Sequence, residues 1–241
     1  MPIRYPPENL GSCDCVIEYL ENIQSCLFGD LTLFRGQRRR HWQLLPKVAR
    51  LEQKDEKRNF AEIEKEIIEA FKIRSVPYLD RDISDEWDWL SLAQHHGMPT
   101  RLLDWTDNAL AGLWFATRKP PEDDDPGVVW IFRPIKIGHL HQQGGSPFTV
   151  KRTAVFRPRH LTTRIVAQGG WFTAHAVRQG TRDFVALERN HHYRNNLHRI
   201  EVAPCRFTEI QKELRKYGLT QSAMFPGLDS VCEDLRKDYF D

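Results

Sequence analysis

Long apolar runs are missing from this chain, and so is any strong excess of one charge. No run approaches the roughly 18 consecutive apolar residues that suggest a membrane span, and no charged-then-apolar leader opens the sequence. The 35 Lys and Arg residues are nearly balanced by 33 Asp and Glu residues. This balance argues against nucleic-acid binding by the surface as a whole, although local basic patches remain possible. We expect a cytoplasmic protein with no membrane partner.

The cysteine pattern and the missing glycine motifs exclude several protein classes. The five cysteines include no Cys-x-x-Cys pair and are odd in number, which favours buried, reduced thiols over a disulfide framework. No Gly-x-x-x-x-Gly-Lys-Ser/Thr loop, Gly-x-Gly-x-x-Gly turn or Gly-x-Ser-x-Gly elbow occurs. The ordinary P-loop, Rossmann and α/β-hydrolase patterns are therefore absent.

The apolar patterning predicts one α+β domain over residues 1–241, with a loose Pro-rich lead-in at 1–11. Helical spacing predicts a helix in "RNFAEIEKEIIEAFKIRSV" and another at about 85–94. β-favouring runs predict a strand at 31–35 and further strands mainly at 127–203, among them "GVVWIF", "RIVAQ" and "WFTAH". Because helices dominate both ends, the order does not show regular βαβ alternation.

The tripeptide "FRG" is the first candidate binding site. Arg35 closes an apolar strand, and its planar guanidinium can hold a phosphate or carboxylate through two parallel hydrogen bonds. Gly36 lets a ligand or another backbone come close. The alternative for Arg35 is a structural ion pair with an acid such as Asp104.

The segment "QHHGMPTRLLDWT", residues 94–106, is the second candidate because it crowds hydrogen-bonding groups between two apolar helical stretches. Arg101 could hold an anionic ligand while Asp104 orients it, or the two could simply pair with each other. Trp105 could stack on a base, although a place in the core is its commoner use. His95 and His96 are adjacent and would point about 100° apart on a helix, so they suit one metal poorly. We expect no metal site.

The segment "RIVAQGGWF" is the third candidate. If "RIVAQ" is a strand, the spacing of four residues places Arg164 and Gln168 on one face. The two following glycines would then make a bend, after which Trp171 or Phe172 re-enters the core. Gln168 beside glycines is suited to binding a ligand amide, although such residues often have only structural duties.

Four motifs together resemble the FRG domain family. They are "LFRGQ" at 33–37, "LAQHHGMPTRLLDWTDNALAGLWFA" at 92–116, "FRPRHLTTRIVAQGGWF" at 156–172 and "FPGLD" at 225–229. The resemblance extends over roughly residues 12–235, and the second motif is long enough to be specific.

A weaker resemblance links the same motifs, in the same order, to ADP-ribosyltransferases of the Arg-Ser-Glu type. It implies a central, split antiparallel or mixed sheet flanked by helices, NAD as the ligand, and a protein or nucleic-acid acceptor as a possible partner. It also implies that the protein acts as a bacterial toxin or defence effector. The catalytic set that it implies is Arg35, His95, Asp104 and Gln168. The NAD-binding set is Arg35, Gly36, Gln94, Thr100, Arg101, Trp105, Thr106, Arg164 and Phe172.

One departure from the transferase pattern keeps other functions open. Where that pattern has glutamate this chain has Arg164 and Gln168, and Asp104 could supply the carboxylate if the motif loop folds over the pocket. A non-catalytic module could instead bind a nucleotide or nucleic acid through Arg35, the arginines at 38–40 and Arg101. A metal-assisted hydrolase using His95, His96 and Asp104 is the third and least favoured possibility.

Overall fold

The structure of the protein is a computed structural model that describes residues 7–27, 31–51, 58–80, 82–134, 145–159, 163–177 and 184–240. The described residues form seven strands and eight α-helices. The strands are β1 (Glu8–Ser12), β2 (Leu33–Gln37), β3 (Leu102–Thr106), β4 (Gly127–Phe132), β5 (Ala154–Phe156), β6 (Gly170–Ala174) and β7 (Leu197–Val202). The helices are α1 (Val16–Ile23), α2 (Phe60–Ser75), α3 (Glu86–His95), α4 (Ala109–Thr117), α5 (Thr163–Ala167), α6 (Phe207–Lys216), α7 (Gln221–Met224) and α8 (Leu228–Phe240).

The described strands join in one mixed sheet in the order β1-β7-β4-β2-β3-β6-β5. Strand β1 runs parallel to β7, and the remaining neighbours are antiparallel. Strand β4, which lies between β7 and β2, is buried along its whole length, which is why "GVVWIF" is continuously apolar. The predicted α+β class is confirmed.

The sheet is nearly split between β2 and β3. A single residue pair, Phe34 with Thr106, joins these two strands, whereas five pairs join β2 to β4 and five join β3 to β6. Helices α1, α4 and α6 cover one half, and α2 and α3 cover the other. A third cluster, with Trp105, Trp130 and Trp171 among its members, packs side chains from both halves together. The divergence of β2 from β3 opens the cleft described below.

Several local predictions need correction. The lead-in predicted for residues 1–11 contains β1, while residues 1–6 lie outside the described part of the chain. The strand expected at 31–35 is β2, shifted by two residues. The run "RIVAQ" is not a strand, since most of it forms the short helix α5, which a turn at Gln168 and Gly169 ends. Short β-branched runs do not distinguish a strand from a helical turn, and the left-handed φ of +54° at Gly169 is typical of a helix end.

Gly36 is required by the packing of α4 on β2. A Cβ atom built at Gly36 would lie 2.1 Å from the carbonyl oxygen of Gly112 and 2.4 Å from the amide nitrogen of Ala116. A Cβ at Gly112 would in turn lie 2.8 Å from the Cβ of Phe34. Of the two alternatives for Gly36, close approach of a backbone is therefore the one observed.

The structure predicts that stability falls as the pH drops from 6.5 towards 4, because of His175. This imidazole is fully buried beside the Thr173 hydroxyl, and burial lowers its pKa from 6.5 to about 4. Below pH 6.5 the unfolded chain takes up a proton that the native state refuses, so up to roughly 3 kcal/mol is lost. Urea unfolding of the wild type and of His175→Gln across this range measures the effect. The variant should lose less stability on acidification, and equal losses in both proteins would contradict the assignment.

Candidate functional site

A cavity of about 310 Å³ lies where β2 and β3 diverge. Its walls come from β2, β3, β6, the ends of α3 and α4, helix α5 and the segment after α7. Five arginines line it: Arg35, Arg38, Arg50, Arg118 and Arg164. Asp104 is the one carboxylate among the described residues of this lining. The cavity is therefore strongly electropositive, and its size is at the lower end for small-ligand sites.

Arg35 projects from β2 across the split towards β3. Its Nη1 donates to the backbone carbonyl of Asp104 at 2.7 Å and lies 3.5 Å from the carboxylate of the same residue. Burial lowers the pKa of Arg35, an effect that the charge of Asp104 opposes. Its Nε is buried and makes no hydrogen bond with the described residues. A buried donor without a partner costs free energy in the folded state.

A chain of hydrogen bonds fixes the Asp104 carboxylate. The buried Thr100 hydroxyl donates to Oε1 of Gln94 at 2.7 Å and accepts from the amide of Leu102 at 3.1 Å. This contact sets the orientation of the Gln94 amide, so that its Nε2 donates to both oxygens of Asp104 at 3.2 Å. The Asp104 side chain remains 58% exposed towards the cleft. Thr100 and Gln94 thus orient a carboxylate that a ligand can reach.

His95 follows Gln94 at the end of α3 and lines the same cavity. Burial, reinforced by the charge of Arg164, lowers the pKa of His95 to about 4. The imidazole is therefore neutral at pH 7 and has one donor and one acceptor nitrogen. Its neighbour His96 is exposed and is not part of the cavity lining.

Arg164 and Gln168 both reach the cavity, although α5 replaces the predicted strand. A spacing of four residues also places two side chains on one helical face. The strand prediction was therefore wrong, but the prediction that these two side chains lie on one face was not affected. The Gln168 amide donates to the carbonyl of Met224 at 2.9 Å, and its backbone carbonyl accepts from the Thr106 hydroxyl at 2.6 Å. Gln168 and Thr106 therefore hold β3, α5 and the C-terminal segment together at the cleft.

Aromatic rings form much of the remaining wall. Trp105 and Phe172 line the cavity from neighbouring strands, and both are largely buried, with 3% and 4% of their surface exposed. Four further rings of the lining were not predicted from the sequence: Phe34, Trp42, Phe115 and Phe225. The lining residues Arg50 and Arg118 were not predicted either. Two features of the sequence could have identified Arg118 and Phe225: the arginine that ends "NALAGLWFATR" and the phenylalanine that begins "FPGLD".

Arg101 does not line the cavity. It is 1% exposed, and its Nε donates to the fully buried Glu64 carboxylate of α2 at 2.7 Å. Its Nη1 donates to the carbonyl of Pro147 at 3.0 Å. The pairing of Arg101 with Asp104 that sequence spacing suggested is not formed, because α2 brings a different acid to it. These contacts give Arg101 a structural role, in which it joins α2 to β3.

The basic turn at 38–41 is neutralised by the acidic loop that follows α4. Arg38 and Arg39 bond to Glu122 at 2.9 and 2.7 Å, and Arg39 also lies 3.1 Å from Asp123. Arg40 lies 3.2 Å from Glu201. The hydrogen bond from Arg38, together with its charge, lowers the pKa of Glu122. The arginines proposed for nucleic-acid binding therefore already have carboxylate partners.

Neither a metal-binding cluster of side chains nor a membrane-spanning helix occurs among the residues that the structure describes. No group of three or more His, Cys, Asp or Glu side chains gathers there in a metal-binding arrangement. His139 and His141, which the sequence places near one another, lie outside the described residues. Among the described helices, none is both long and apolar enough to cross a membrane.

The model of the FRG domain family matches residues 30–125. Residues 30–125 are therefore similar to an FRG domain. The matched segment runs from β2 to the acidic loop, so it includes Arg35, the Thr100–Gln94–Asp104 chain and Arg118. The matched segment is shorter than the range over which the sequence motifs resemble the family. Helix α5 and Phe225, which complete the cavity, lie outside the matched segment. No curated protein and no solved structure matches the chain significantly.

Proposed function

We propose that this protein binds NAD in the cleft between β2 and β3 and cleaves its bond between nicotinamide and ribose. The observation that supports the proposal best is the composition of the cavity. Five arginines and several aromatic rings surround one carboxylate, Asp104, that hydrogen bonds hold in a fixed orientation. Such a site fits a ligand that combines phosphates, a sugar and flat rings.

Each residue of the proposed site has a role that follows from the chemistry of its side chain. Arg35 binds phosphate and ribose oxygens next to Asp104, at the part of its guanidinium that lines the cavity. Trp42 and Phe115, two partly exposed rings of the lining, flank the nicotinamide or the base. Cleavage builds positive charge on the ribose, which the nearby Asp104 carboxylate stabilises. His95, neutral at pH 7, accepts the proton of the attacking water or acceptor group.

Water as the attacking group would give a glycohydrolase, and a protein or nucleic-acid acceptor would give an ADP-ribosyltransferase. Either enzyme would consume NAD inside a cell, which is the chemistry of a toxin or defence effector. The alternative of a nucleic-acid-binding module is less favoured, because Arg38, Arg39 and Arg40 are paired with acidic side chains.

Calorimetric titration with NAD tests the binding step. Arg35→Gln should weaken NAD affinity about tenfold or more, since a charge-assisted hydrogen-bond donor to the ligand is lost. Arg74→Gln is the matched control, because Arg74 is an exposed arginine of α2. Equal affinity of the wild type and Arg35→Gln, with both proteins folded, would exclude the role proposed for Arg35.

A further inference from the structure

Two of the cavity arginines, Arg118 and Arg164, share one aromatic ring. The guanidinium carbon of Arg164 lies 4.3 Å from the ring centroid of Phe225, and that of Arg118 lies 5.5 Å from the same centroid. Arg118 also lies within 6 Å of the rings of Trp114 and Phe115. Three separate elements therefore place two cations against one ring at the cavity wall.

These two cations have no acidic partner in the described structure. No described carboxylate lies within 4 Å of either guanidinium, whereas Arg35 and Arg38 each have one within that distance. Arg118 and Arg164 are both half-buried, and burial lowers the pKa of each. The positive charges of Arg38 and then Arg164 lower the pKa of Arg118 further, and the charge of Glu233 opposes them. The charge of Asp104 opposes the effect of burial on Arg164. Two like charges kept close and partly desolvated are unfavourable unless an anion lies between them.

The Arg35 guanidinium alone has too few free donors for a diphosphate. Arg35 already uses its Nη1 on the carbonyl of Asp104. A diphosphate presents several charged oxygens, each of which needs a donor when water is excluded. The two guanidinium groups on Phe225 supply such donors in planar pairs. Stacking on the ring holds both groups while leaving their hydrogen-bonding edges available.

We propose that Arg118 and Arg164, positioned by Phe225, form a diphosphate subsite of this cavity. The subsite rests on the proposed nucleotide-binding function, and it assigns the phosphate-binding task to residues outside the Arg35–Asp104 pair. It also gives a role to the C-terminal segment, since Phe225 lies beyond the residues that the family model matches. The same chemistry would hold inorganic pyrophosphate or the diphosphate of a nucleotide.

Calorimetric titrations of the full chain with pyrophosphate, ADP and adenosine test the subsite. Arg118→Gln and Arg164→Gln should each weaken the binding of pyrophosphate and ADP about tenfold or more. Adenosine affinity should stay unchanged, and Arg74→Gln should bind all three as the wild type does. Phe225→Leu retains both charges but loses the ring, so a weaker affinity for pyrophosphate in this variant would separate positioning from net charge.

The outcomes also separate the subsite from the proposed function. The subsite is overturned if the wild type binds neither pyrophosphate nor ADP, or if both arginine variants, shown to be folded by thermal melting, bind them normally. Pyrophosphate binding without nicotinamide release from NAD would support the subsite and reject the function. Nicotinamide release with an unchanged KM in Arg118→Gln and Arg164→Gln would support the function and reject the subsite.

Discussion

Asp104→Asn is expected to lower the rate of nicotinamide release at least about a thousandfold while leaving NAD affinity within about threefold of the wild type. The carboxylate opposes positive charge that exists only at the transition state, so its loss should lower kcat rather than raise KM. Asparagine has the same size and can still accept a hydrogen bond from Gln94. Asp80→Asn, at an exposed position, is the matched control.

Gln94→Leu extends the same test to the residue that positions the carboxylate. Leucine keeps the volume but removes both donors to Asp104. We expect a fall in kcat smaller than that of Asp104→Asn, again with little change in NAD affinity. A variant that lost affinity and rate equally would show that Gln94 touches the ligand instead. Turnover at the wild-type rate in Asp104→Asn would reject Asp104 as the catalytic carboxylate.

Breaking the buried pair of Arg101 and Glu64 is expected to cost about 3–5 kcal/mol of unfolding free energy. Both side chains are almost fully buried, and the Glu64 carboxylate bonds to the guanidinium and to the amide of Arg101. Glu64→Gln leaves a buried, uncompensated guanidinium. Arg101→Met leaves a buried carboxyl whose pKa burial already raises. Urea unfolding of each variant measures the loss.

The double variant Glu64→Leu with Arg101→Met completes this test. It removes both charges, so its unfolding free energy should be higher than that of either single charge-breaking variant. At temperatures where Arg101→Met is folded, it should bind NAD within about threefold of the wild type, because Arg101 does not line the cavity. A large loss of affinity in folded Arg101→Met would restore Arg101 as a ligand residue, and unchanged stability would contradict the ion-pair assignment.

The sequence predicted those parts of the site in which local chemistry determines position. Arg35 lies in the short strand β2, and Asp104 lies in β3 across the split, so both residues come from short motifs that the sequence shows. The neighbours of Arg101 could not be read in this way, since its partner Glu64 comes from α2, which is distant in sequence. The same holds for Arg38 to Arg40, whose acidic partners lie some eighty or more residues away.

The cluster on Phe225 was the least predictable part of the cavity. Arg118, Arg164 and Phe225 come from three elements, and only tertiary packing brings them to one place. The helix α5 was also mispredicted, because five residues, three of them β-branched, carry too little periodic signal. Arg164 and Gln168 nevertheless both line the cavity, because residues four apart share a face in a helix as well as in a strand.

The most direct test of the central claim is the release of nicotinamide from NAD by the purified chain, followed by mass spectrometry beside Arg35→Gln and Asp104→Asn. The cleft described here predicts nicotinamide and ADP-ribose, free or attached to an acceptor, from the wild type, with both variants strongly impaired. Intact NAD after prolonged incubation with folded wild-type protein, with and without a cell extract as a source of acceptors, would contradict it.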